Sequence, residues 1–533
     1  MLVQANTPEF NDLEYYDVIV VGAGAVGIPL AITLARNGKK VALLEAGPMK
    51  PSQSSQKYFE AAKSSGHNLE GLHVGRFRCL GGTTHFWGGQ LVPFAPIVFE
   101  DRDWIAASGW PLDYNDIEPF FQETFNILGM SHVERDDQKV WEKIGVPAPP
   151  TTEAIQPIFT RWTPESNLTI HFANDIENTP NLTVVTMAQV GALITDETDD
   201  VTGVELRFES GPAKKVHANK VVLANGTIEI SRLLQLPVSG GKAAPWHMNQ
   251  WIGKGFYDHV DTYCASVAPI DKHRFMDVFE NAIIDGIKYN PKLRLADEVQ
   301  RNEKLLEVSS HFVFNSSFSD NIANLKILIK GVMRGRLDKS RLRNPLELLS
   351  TLRFIVPMAL RYIRYRRIMN LTDGGIQLRL TCEQTPLSSS QIKLRKERDA
   401  FDMPLVDVHW DIGPEVVKTL STCAEYIRDY LKDTGLAEVT IDQRLLNRDP
   451  TYLALTDDAN HQLGGAKMGR NAQEGVVDSN CKVFGTNNLY IAGAAVFPTS
   501  GFANPTFTAI ALGLRLAQHL GSREMECVDR ETS

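Results

Sequence analysis

The chain has 533 residues, a formal net charge of −9, and 43% hydrophobic and 22% charged residues. Because this length exceeds the size at which a single hydrophobic core stops growing, two domains or two interleaved lobes are expected. The composition argues against a disordered or fibrous protein. The acidic balance argues against a general nucleic-acid binder, which needs a clustered basic surface. A packed enzyme is therefore the default expectation.

Cysteine usage and the first residues bear on the compartment. The six cysteines are scattered without the close spacing of a metal site, and we interpret them as reduced thiols. Residues 1–16 lack the basic and apolar regions of a secretory signal. No apolar stretch is long enough to span a bilayer. A cytoplasmic location is expected on these grounds.

The first predicted elements form a βαβ unit. Residues 16–22 are a β-branched apolar run that ends in glycine, which is typical of a strand buried on both faces. Residues 24–37 carry apolar side chains at helical spacing and stop at Gly38. Residues 40–45 follow as a second buried strand. Parallel strands joined in this way require a right-handed crossover.

A glycine fingerprint lies between that strand and that helix. Gly22 permits a tight turn, Gly24 lets the backbone approach a pyrophosphate, and Gly27 lets the helix pack close to the strand. The N-terminus of the helix then faces the phosphates. Glu45, at the end of the second strand, is placed to accept hydrogen bonds from ribose hydroxyls and disfavours a 2′-phosphate. These residues alone leave FAD and NAD open.

Later segments extend the same sheet. Residues 220–226 and 488–493 are also short apolar strands that end in glycine, the form of strands that bring a turn to a ligand at the carboxyl edge of a sheet. The nucleotide-binding lobe is therefore predicted to be assembled from separated pieces. We predict one discontinuous domain over residues 16–235 and 455–525, with a second domain inserted over residues 236–454.

Three further segments resemble the glucose/methanol/choline (GMC) family of FAD-dependent oxidoreductases. The resemblance rests on residues 78–89, 461–469 and 501–506, with connecting segments at residues 108–121 and 382–394. Its motifs are most similar to those of pyranose oxidases and their bacterial sugar-oxidising relatives. It implies FAD rather than NAD. It also implies an α/β architecture, in which a Rossmann-like FAD-binding domain carries an inserted α+β substrate-binding domain.

The resemblance further implies a reaction. In the family, a hydride passes from an alcohol carbon to flavin N5 and then to oxygen or another acceptor. The sugar-oxidising motifs imply a sugar, a glycoside or a polyol as the small-molecule substrate. The alternatives are an oxidase or dehydrogenase of a non-sugar alcohol and a flavin-containing lyase, since a fold does not fix its chemistry. A flavin-bearing scaffold without turnover is a third alternative.

His461 and Asn504 are the predicted catalytic pair. Oxidation of an alcohol requires loss of the hydroxyl proton, and a neutral imidazole, with an ordinary pKa of about 6.5, is suited to accept it. Asn504 precedes Pro505 and a predicted helix over residues 506–520, so it can be a helix N-cap as well as a hydrogen-bond partner of the substrate. A purely structural histidine is the alternative for His461.

The resemblance also assigns residues to the cofactor. The loop expected to press against the flavin ring contributes Gly82, Thr83, Thr84 and Trp87. The other residues assigned to FAD are Val190, Gly493, Ala494, Asn504, Pro505 and Thr506. In some pyranose oxidases, the histidine directly before the tryptophan is joined covalently to the flavin. Here Phe86 occupies that position and His85 lies one place earlier, so we predict that FAD is bound non-covalently.

One basic segment is left without a role. Between Lys326 and Arg367, twelve lysines or arginines stand against Asp338 and Glu347. Within residues 326–369, the part from Leu346 to Met369 is amphipathic, with a kink or interruption of the helix expected at Pro357. We expect such a segment to pack its apolar side on its own protein. Capping of the active site, contact with another subunit or an acidic partner, and binding to a membrane surface are the alternatives.

Overall fold

The computed structural model describes residues 1–10, 14–317 and 357–521. Most of the basic segment predicted over residues 326–369 therefore lies outside the described residues. In the described ranges, no helix is both long enough and apolar enough to cross a membrane. Five cysteines fall in these ranges, and all five are buried free thiols.

The regular elements follow in chain order. The strands are β1 (Leu2–Gln4), β2 (Tyr15–Val21), β3 (Val41–Leu44), β4 (Lys63–Gly66), β5 (Gln90–Leu91), β6 (Ile155–Trp162), β7 (Leu182–Thr186), β8 (Gln189–Thr195), β9 (Val201–Arg207), β10 (Lys214–Leu223), β11 (Val260–Pro269), β12 (Ala282–Ile284), β13 (Ile287–Leu295), β14 (Val308–Phe314), β15 (Ile376–Cys382), β16 (Gln391–Arg398), β17 (Pro404–Trp410), β18 (Ala437–Ile441), β19 (Asp457–Asp458) and β20 (Leu489–Ile491). The α-helices are α1 (Gly27–Arg36), α2 (Gln53–Glu60), α3 (Tyr114–Ile117), α4 (Pro119–Ile127), α5 (Asp137–Ile144), α6 (Leu168–His171), α7 (Ala173–Asn178), α8 (Thr227–Leu234), α9 (Lys272–Phe279), α10 (Asp297–Glu303), α11 (Glu415–Asp433), α12 (Gln443–Leu446) and α13 (Pro505–Gly521).

The first sheet confirms the predicted Rossmann-like fold. Its order is β1-β7-β3-β2-β10-β9-β8, with β20 paired to β10. The pairs from β1 to β10 are parallel, as is the pair β10/β20, whereas β9 pairs antiparallel with β8 and β10. Helix α1 connects β2 to β3 and begins at Gly27, because residues 24–26 form the turn that enters it. The sheet is thus built from separated pieces of the chain.

The second sheet is antiparallel, and most of its strands lie within residues 236–454, the range predicted for the inserted α+β domain. Its order is β18-β11-β15-β14-β13-β6-β5, with β12 and β19 at its margins. The long helix α11 packs against this sheet through an apolar face that includes Val416, Leu420 and Ile427, all 0% exposed. Strands β5 and β6 come from within residues 16–235, the range predicted for the nucleotide-binding domain. The predicted domain limits at residues 235 and 455 stay a prediction.

The described end of the basic segment contacts the rest of the chain through charged side chains, whereas the prediction was that its apolar side would pack there. Arg361 forms ion pairs with Asp277 at 2.8 Å and with Glu280 at 2.6 Å. Leu360 and Ile363, which lie in the same helix as Arg361, are 62% and 69% exposed. The charge of Arg361 is therefore neutralised by this protein's own residues, while neighbouring apolar side chains remain on the surface of the described ranges.

Candidate active site

A cleft opens where the parallel strands of the first sheet end. It is lined by the ends of β2, β3 and β10, by the segment after β20, and by the N-terminal ends of α8 and α13. The residues predicted for the cofactor that line it are Gly22, Gly24, Glu45, Gly82, Thr83, Val190, Gly493, Ala494, Pro505 and Thr506. His461 lines the same cleft. Segments that are far apart in the sequence therefore meet at the carboxyl edge of the first sheet. This is where α/β proteins usually bind their ligands.

The glycines of this cleft have two different reasons to be glycine. A Cβ on Gly27 would lie 1.9 Å from the carbonyl oxygen of Gly22, so only glycine lets α1 pack this close to the turn. A Cβ on Gly24 or on Gly493 would meet no atom within 4 Å. Because both residues line the cleft, side chains there would project into open space. Gly24 and Gly493 thus leave room for a ligand against the backbone.

Glu45 is fixed at the cleft wall. Its Oε2 accepts from the backbone N–H of Ala23 at 3.2 Å, and its Oε1 accepts from the N–H of Gly47 at 2.8 Å. Burial raises the pKa of Glu45 to about 6, although these hydrogen bonds and nearby Arg78 act in the opposite direction. Each carboxylate oxygen has a further lone pair. Glu45 therefore retains acceptor capacity at the cleft, and its contact with a ribose hydroxyl stays a prediction.

The loop predicted to press against the flavin divides into two parts. Gly82 approaches the fingerprint turn, since a Cβ on it would lie 3.3 Å from the Cα of Gly24. Thr84 donates to the carbonyl of Gly81 at 2.7 Å, and the indole N–H of Trp87 donates to the carbonyl of Ser166 at 2.6 Å. Neither Thr84 nor Trp87 lines the cleft, unlike Gly82 and Thr83. Their direct contact with a cofactor stays a prediction.

His85 is engaged inside the protein at both ring nitrogens. Its Nε2 lies 2.9 Å from the carbonyl oxygen of Leu80, and its Nδ1 lies 3.2 Å from Nδ2 of Asn167. The ring is not part of the cleft lining. Non-covalent binding of FAD stays a prediction, with which these contacts of His85 agree.

The cleft fits a dinucleotide such as FAD. The open space beside Gly24 and Gly493 accommodates a ligand, and the N-termini of α1 and α13 offer backbone N–H groups and positive dipole ends to anionic oxygens. The side-chain oxygen of Asn225 is buried at the cleft and has no hydrogen-bond partner in the described part of the chain. A buried acceptor without a partner is costly unless a ligand or water satisfies it.

The predicted catalytic pair is hydrogen-bonded. Asn504 Nδ2 lies 2.8 Å from Nε2 of His461, and Asn504 directly precedes α13. The other ring nitrogen of His461, Nδ1, lies 2.8 Å from Nδ1 of His259. The remaining nitrogen of His259, Nε2, lies 2.9 Å from Oγ of Ser500. Asn504, His461, His259 and Ser500 therefore form a continuous chain of hydrogen bonds.

The chain of hydrogen bonds defines the histidine tautomers. Asn504 donates to Nε2 of His461, so the proton of His461 is on Nδ1, where it is donated to His259. His259 accepts at Nδ1 and carries its proton on Nε2, where it donates to Ser500. The Ser500 hydroxyl donates onward to the carbonyl of Gly501 at 3.2 Å. Every donor in this order has an acceptor, and Nε2 of His461 is unprotonated, with its lone pair accepting from Asn504.

Burial keeps both rings neutral. The pKa of His461 lies well below its ordinary value, because of burial first and the nearby His259 second. Burial lowers the pKa of His259, which is 0% exposed, to about 4. A neutral His461 at neutral pH is the form that can accept a proton.

The segments that carry the pair are held by buried carboxyl groups. Oδ1 of Asp258 accepts from the backbone N–H of Ala459 at 3.1 Å and of His461 at 2.9 Å, which fixes the turn before the histidine. From the second sheet, Glu383 accepts from the N–H of Gly501 at 3.1 Å. Glu307 accepts from the N–H of Phe502, also at 3.1 Å. The loop that leads to Asn504 is thus positioned by the second sheet.

Comparison with known proteins agrees with this geometry. Residues 386–513 match the family described as GMC oxidoreductase, and residues 17–58 match the family described as FAD binding domain. The chain resembles the GMC oxidoreductases, as the sequence motifs predicted. It is accordingly an FAD-dependent enzyme that acts on CH–OH groups.

Full-length relatives and solved structures support the same assignment. The chain is 21% identical to the fructose dehydrogenase large subunit of Gluconobacter japonicus, over 95% of this chain and 98% of the relative. It is 20% identical to 2-methyl-1,2-propanediol dehydrogenase of Mycolicibacterium austroafricanum, over 97% of each. A variant of formate oxidase from Aspergillus oryzae superposes with a TM-score of 0.55 at 17% identity, covering 96% of this chain and 99% of that chain. The last likeness shows the GMC fold.

Sequence reasoning did not find His259 or Ser500. The only local sign of His259 is an Asp-His pair, Asp258 and His259, directly before the apolar alternation of β11. Its meeting with His461 depends on a contact between residues 202 positions apart. Ser500 lies beside the recognised segment over residues 501–506, and a small polar residue there carries no signal by itself.

Proposed function

We propose that the enzyme oxidises a hydroxyl group of a sugar, a glycoside or a polyol, with His461 as the proton acceptor. The observation that carries the proposal is the hydrogen-bonded pair of His461 and Asn504 at the edge of a cleft that fits FAD. When bound, FAD supplies the acceptor of the hydride. The two relatives covered almost completely are named for a sugar and a diol, which supports this substrate class.

His461 and Asn504 divide the work at the hydroxyl group. The substrate hydroxyl takes the place of the Asn504 amide at Nε2 of His461 and donates its proton there. The amide N–H of Asn504 is then free to donate to the same hydroxyl oxygen. Negative charge develops on that oxygen as the proton leaves, and a fixed donor stabilises it. Asn504 therefore favours the transition state and not only binding.

His259 acts as a positioning residue. When His461 accepts a proton at Nε2, its Nδ1–H remains donated to His259, whose Nδ1 is the acceptor. The charge formed on the imidazole is thus placed against a basic nitrogen and not against a second donor. His259 also selects the tautomer in which Nε2 of His461 is unprotonated before substrate binds.

FAD is proposed to be bound non-covalently. His85, the only histidine of residues 78–89, has both ring nitrogens engaged with Leu80 and Asn167. Acid precipitation followed by inspection of the pellet tests this: released FAD leaves a colourless pellet, and a yellow pellet contradicts non-covalent binding. A cytoplasmic location stays a prediction from the sequence.

The reductive half-reaction tests the proposed function. The purified protein is mixed without oxygen with a panel of sugars, glycosides, polyols and simple alcohols, and bleaching of the flavin absorbance is followed. We expect bleaching by at least one sugar or polyol. Bleaching only by apolar alcohols would contradict the substrate class and leave the reaction class in place.

A matched variant tests the role of His461. His461→Ala removes the proton acceptor but none of the residues at the fingerprint turn, so FAD content should remain. Bleaching should slow by roughly 10² to 10⁴, the contribution of a positioned base. Bleaching of this variant at nearly the parent rate, with the parent's pH profile, would remove His461 from the proposed mechanism. Reoxidation by oxygen or by an artificial acceptor, measured afterwards, distinguishes an oxidase from a dehydrogenase.

A further inference from the structure

One face of the second sheet is polar, and it adjoins the catalytic pair. Along β15, Ile376, Leu378 and Leu380 are buried, whereas the alternate residues Arg379 and Thr381 are partly exposed. Successive side chains of a strand point to opposite faces of its sheet. The apolar face of β15 packs in the hydrophobic core. Packing in the core therefore does not account for the polar residues Arg379 and Thr381 on the opposite face.

The strand register aligns three basic residues on this polar face. Arg379 of β15 is directly opposite His311 of β14. Arg294 of β13 is opposite Ser309 of β14. Two residues further along this antiparallel pair, Lys292 is therefore opposite His311. Lys292, His311 and Arg379 form a row across three neighbouring strands, which we call the cationic row.

The cationic row is contiguous with the active site. Asp261 of β11 is opposite Thr381 and forms an ion pair with Arg379 of the row. His259 precedes Asp261 by two positions, so the two side chains point to the same face of the sheet. His259 contacts His461. The charges of Arg379 and Lys292 also contribute to the lowered pKa of His461. A substrate held at His461 therefore lies within the electrostatic reach of the row.

The charges of the row are incompletely neutralised. Lys292 is only 7% exposed, and it is attracted electrostatically by Asp261, the same carboxylate that is paired with Arg379. Burial lowers the pKa of Lys292 to about 8, so it is mainly protonated at neutral pH. Arg379 is paired with Asp261, and its Nε is buried without a partner within the described ranges. Two cations thus share one carboxylate, and a buried cation without an anion is unfavourable.

His311 does not add to the positive charge. Burial first, and the nearby Lys292 and Arg379 second, lower its pKa to about 3. A neutral imidazole between two cations offers one donor and one acceptor. The row therefore combines a guanidinium, an ammonium and a neutral ring, a set suited to planar or tetrahedral oxyanions.

We propose that the cationic row binds an anionic group of the substrate, so that the enzyme oxidises an acidic sugar or polyol derivative in preference to its neutral counterpart. This inference rests on the proposed function, since it places the anion on the same molecule whose hydroxyl donates to His461. A carboxylate and a phosphate share the required chemistry. The arms of the test separate these two sources.

Matched substrates test the preference. Anaerobic flavin bleaching is compared between glucitol and gluconate, between a methyl glucoside and the corresponding methyl glucuronide, and between glucose and glucose 6-phosphate. The acidic member of at least one pair should be more efficient by about tenfold or more, the ratio for one charge-assisted hydrogen bond. Preference in the first two pairs identifies a carboxylate, and preference in the third identifies a phosphate. Equal efficiency in all three pairs overturns the inference.

A variant assigns the preference to the row. Lys292→Met keeps most of the side-chain length but removes the charge, and Lys432→Met removes an exposed charge of α11 as the matched control. Lys292→Met should lower the efficiency with the acidic substrate relative to the neutral one by about tenfold or more, whereas Lys432→Met should leave this ratio unchanged. A preference that survives Lys292→Met overturns the assignment to this row.

A binding readout separates failure of this inference from failure of the proposed function. Acetate and inorganic phosphate are titrated into the oxidised holoenzyme, and the perturbation of the flavin spectrum gives their dissociation constants. If no sugar or polyol bleaches the flavin but these anions bind in a manner that Lys292→Met abolishes, the anion site stands and the proposed function fails. If sugars bleach the flavin but the anions bind equally to the protein and to Lys292→Met, the proposed function stands and the anion site fails.

Discussion

Replacing His259 by phenylalanine is expected to slow flavin reduction while FAD and the fold are retained. The substitution keeps a ring of similar size at a position that is 0% exposed. It removes the acceptor for Nδ1–H of His461 and the donor to Ser500. His461 then has a buried N–H without a partner, or adopts the tautomer in which Nε2 is already protonated and cannot accept a proton.

The size of the effect follows from that lost acceptor. An unsatisfied buried donor costs about 1 to 3 kcal/mol. If this cost is borne by the catalytically competent tautomer, flavin reduction slows by roughly 5- to 150-fold, since each 1.36 kcal/mol corresponds to about tenfold in rate. The loss is smaller than the roughly 10² to 10⁴ expected for His461→Ala, because the base itself remains.

Anaerobic stopped-flow bleaching of the flavin measures the effect. His259→Asn is the matched control, because its side-chain oxygen can replace Nδ1 as the acceptor from His461 while it no longer reaches Ser500. We expect His259→Asn to recover most of the rate lost in His259→Phe, at equal FAD content. Equal rates in the parent and in His259→Phe would refute the positioning role. Equal, low rates in His259→Phe and His259→Asn would refute the claim that His259 acts by accepting the Nδ1–H of His461.

Three further predictions use the same site. Because burial holds the pKa of His461 well below its ordinary value of 6.5, the rate of flavin reduction should stay constant on acidification through pH 6.5 and fall only at lower pH; an inflection at 6.5 or above in stopped-flow rates would contradict this. Gly24→Leu should lose FAD absorbance and unfold in urea like the parent from which FAD has been removed, and Gly24→Ala should lose less FAD, because side chains there enter the cleft; full FAD content in Gly24→Leu would contradict the assignment. His259 takes up its extra proton below about pH 6.5 in the unfolded chain but only near pH 4 in the folded chain. The free energy of unfolding therefore decreases as the pH falls from about 6.5 to 4, and the total loss is roughly 3 kcal/mol. Urea unfolding at pH 7 and pH 5 should therefore show a larger loss for the parent than for His259→Phe, and equal losses would contradict the lowered pKa.

The nucleotide-binding part could be predicted because its signals are local. Strand β2, the turn at Gly22 and Gly24, and helix α1 follow one another within a short stretch, and each has its own pattern of apolar residues and glycine. The structure shifts only the limits: the helix predicted from residue 24 begins at Gly27, because the preceding residues form the turn. Pairing of β10 with both β2 and β20 then places the glycine-ended strands at one edge.

The second sheet could not be read in the same way. Strand β6 pairs with β13 across more than a hundred residues, so its membership of this sheet depends on a register that no local pattern encodes. The short strand β5 follows directly after the loop that carries Gly82, and nothing in its composition separates it from that loop. The polar alternation of β15 is visible in the sequence, but its neighbours His311 and Lys292 are known only once the strands are aligned.

The placement of Asn504 shows why the site needs both sheets. Asn504 directly precedes α13, which packs with α1 of the first sheet, yet the loop before Asn504 is bonded to Glu307 and Glu383, which adjoin β14 and β15 of the second sheet. Glu383 is 0% exposed, and burial alone would raise its pKa, but its ion pair with Arg102 at 2.7 Å keeps that pKa below the ordinary value. Glu383 therefore remains a charged acceptor that holds the loop firmly, because hydrogen bonds to ionised acceptors are stronger than neutral ones. The catalytic amide is thus aligned with His461 by groups that the cofactor-binding sheet does not contain, so changes in the second sheet can alter the reaction without a direct change at the fingerprint turn.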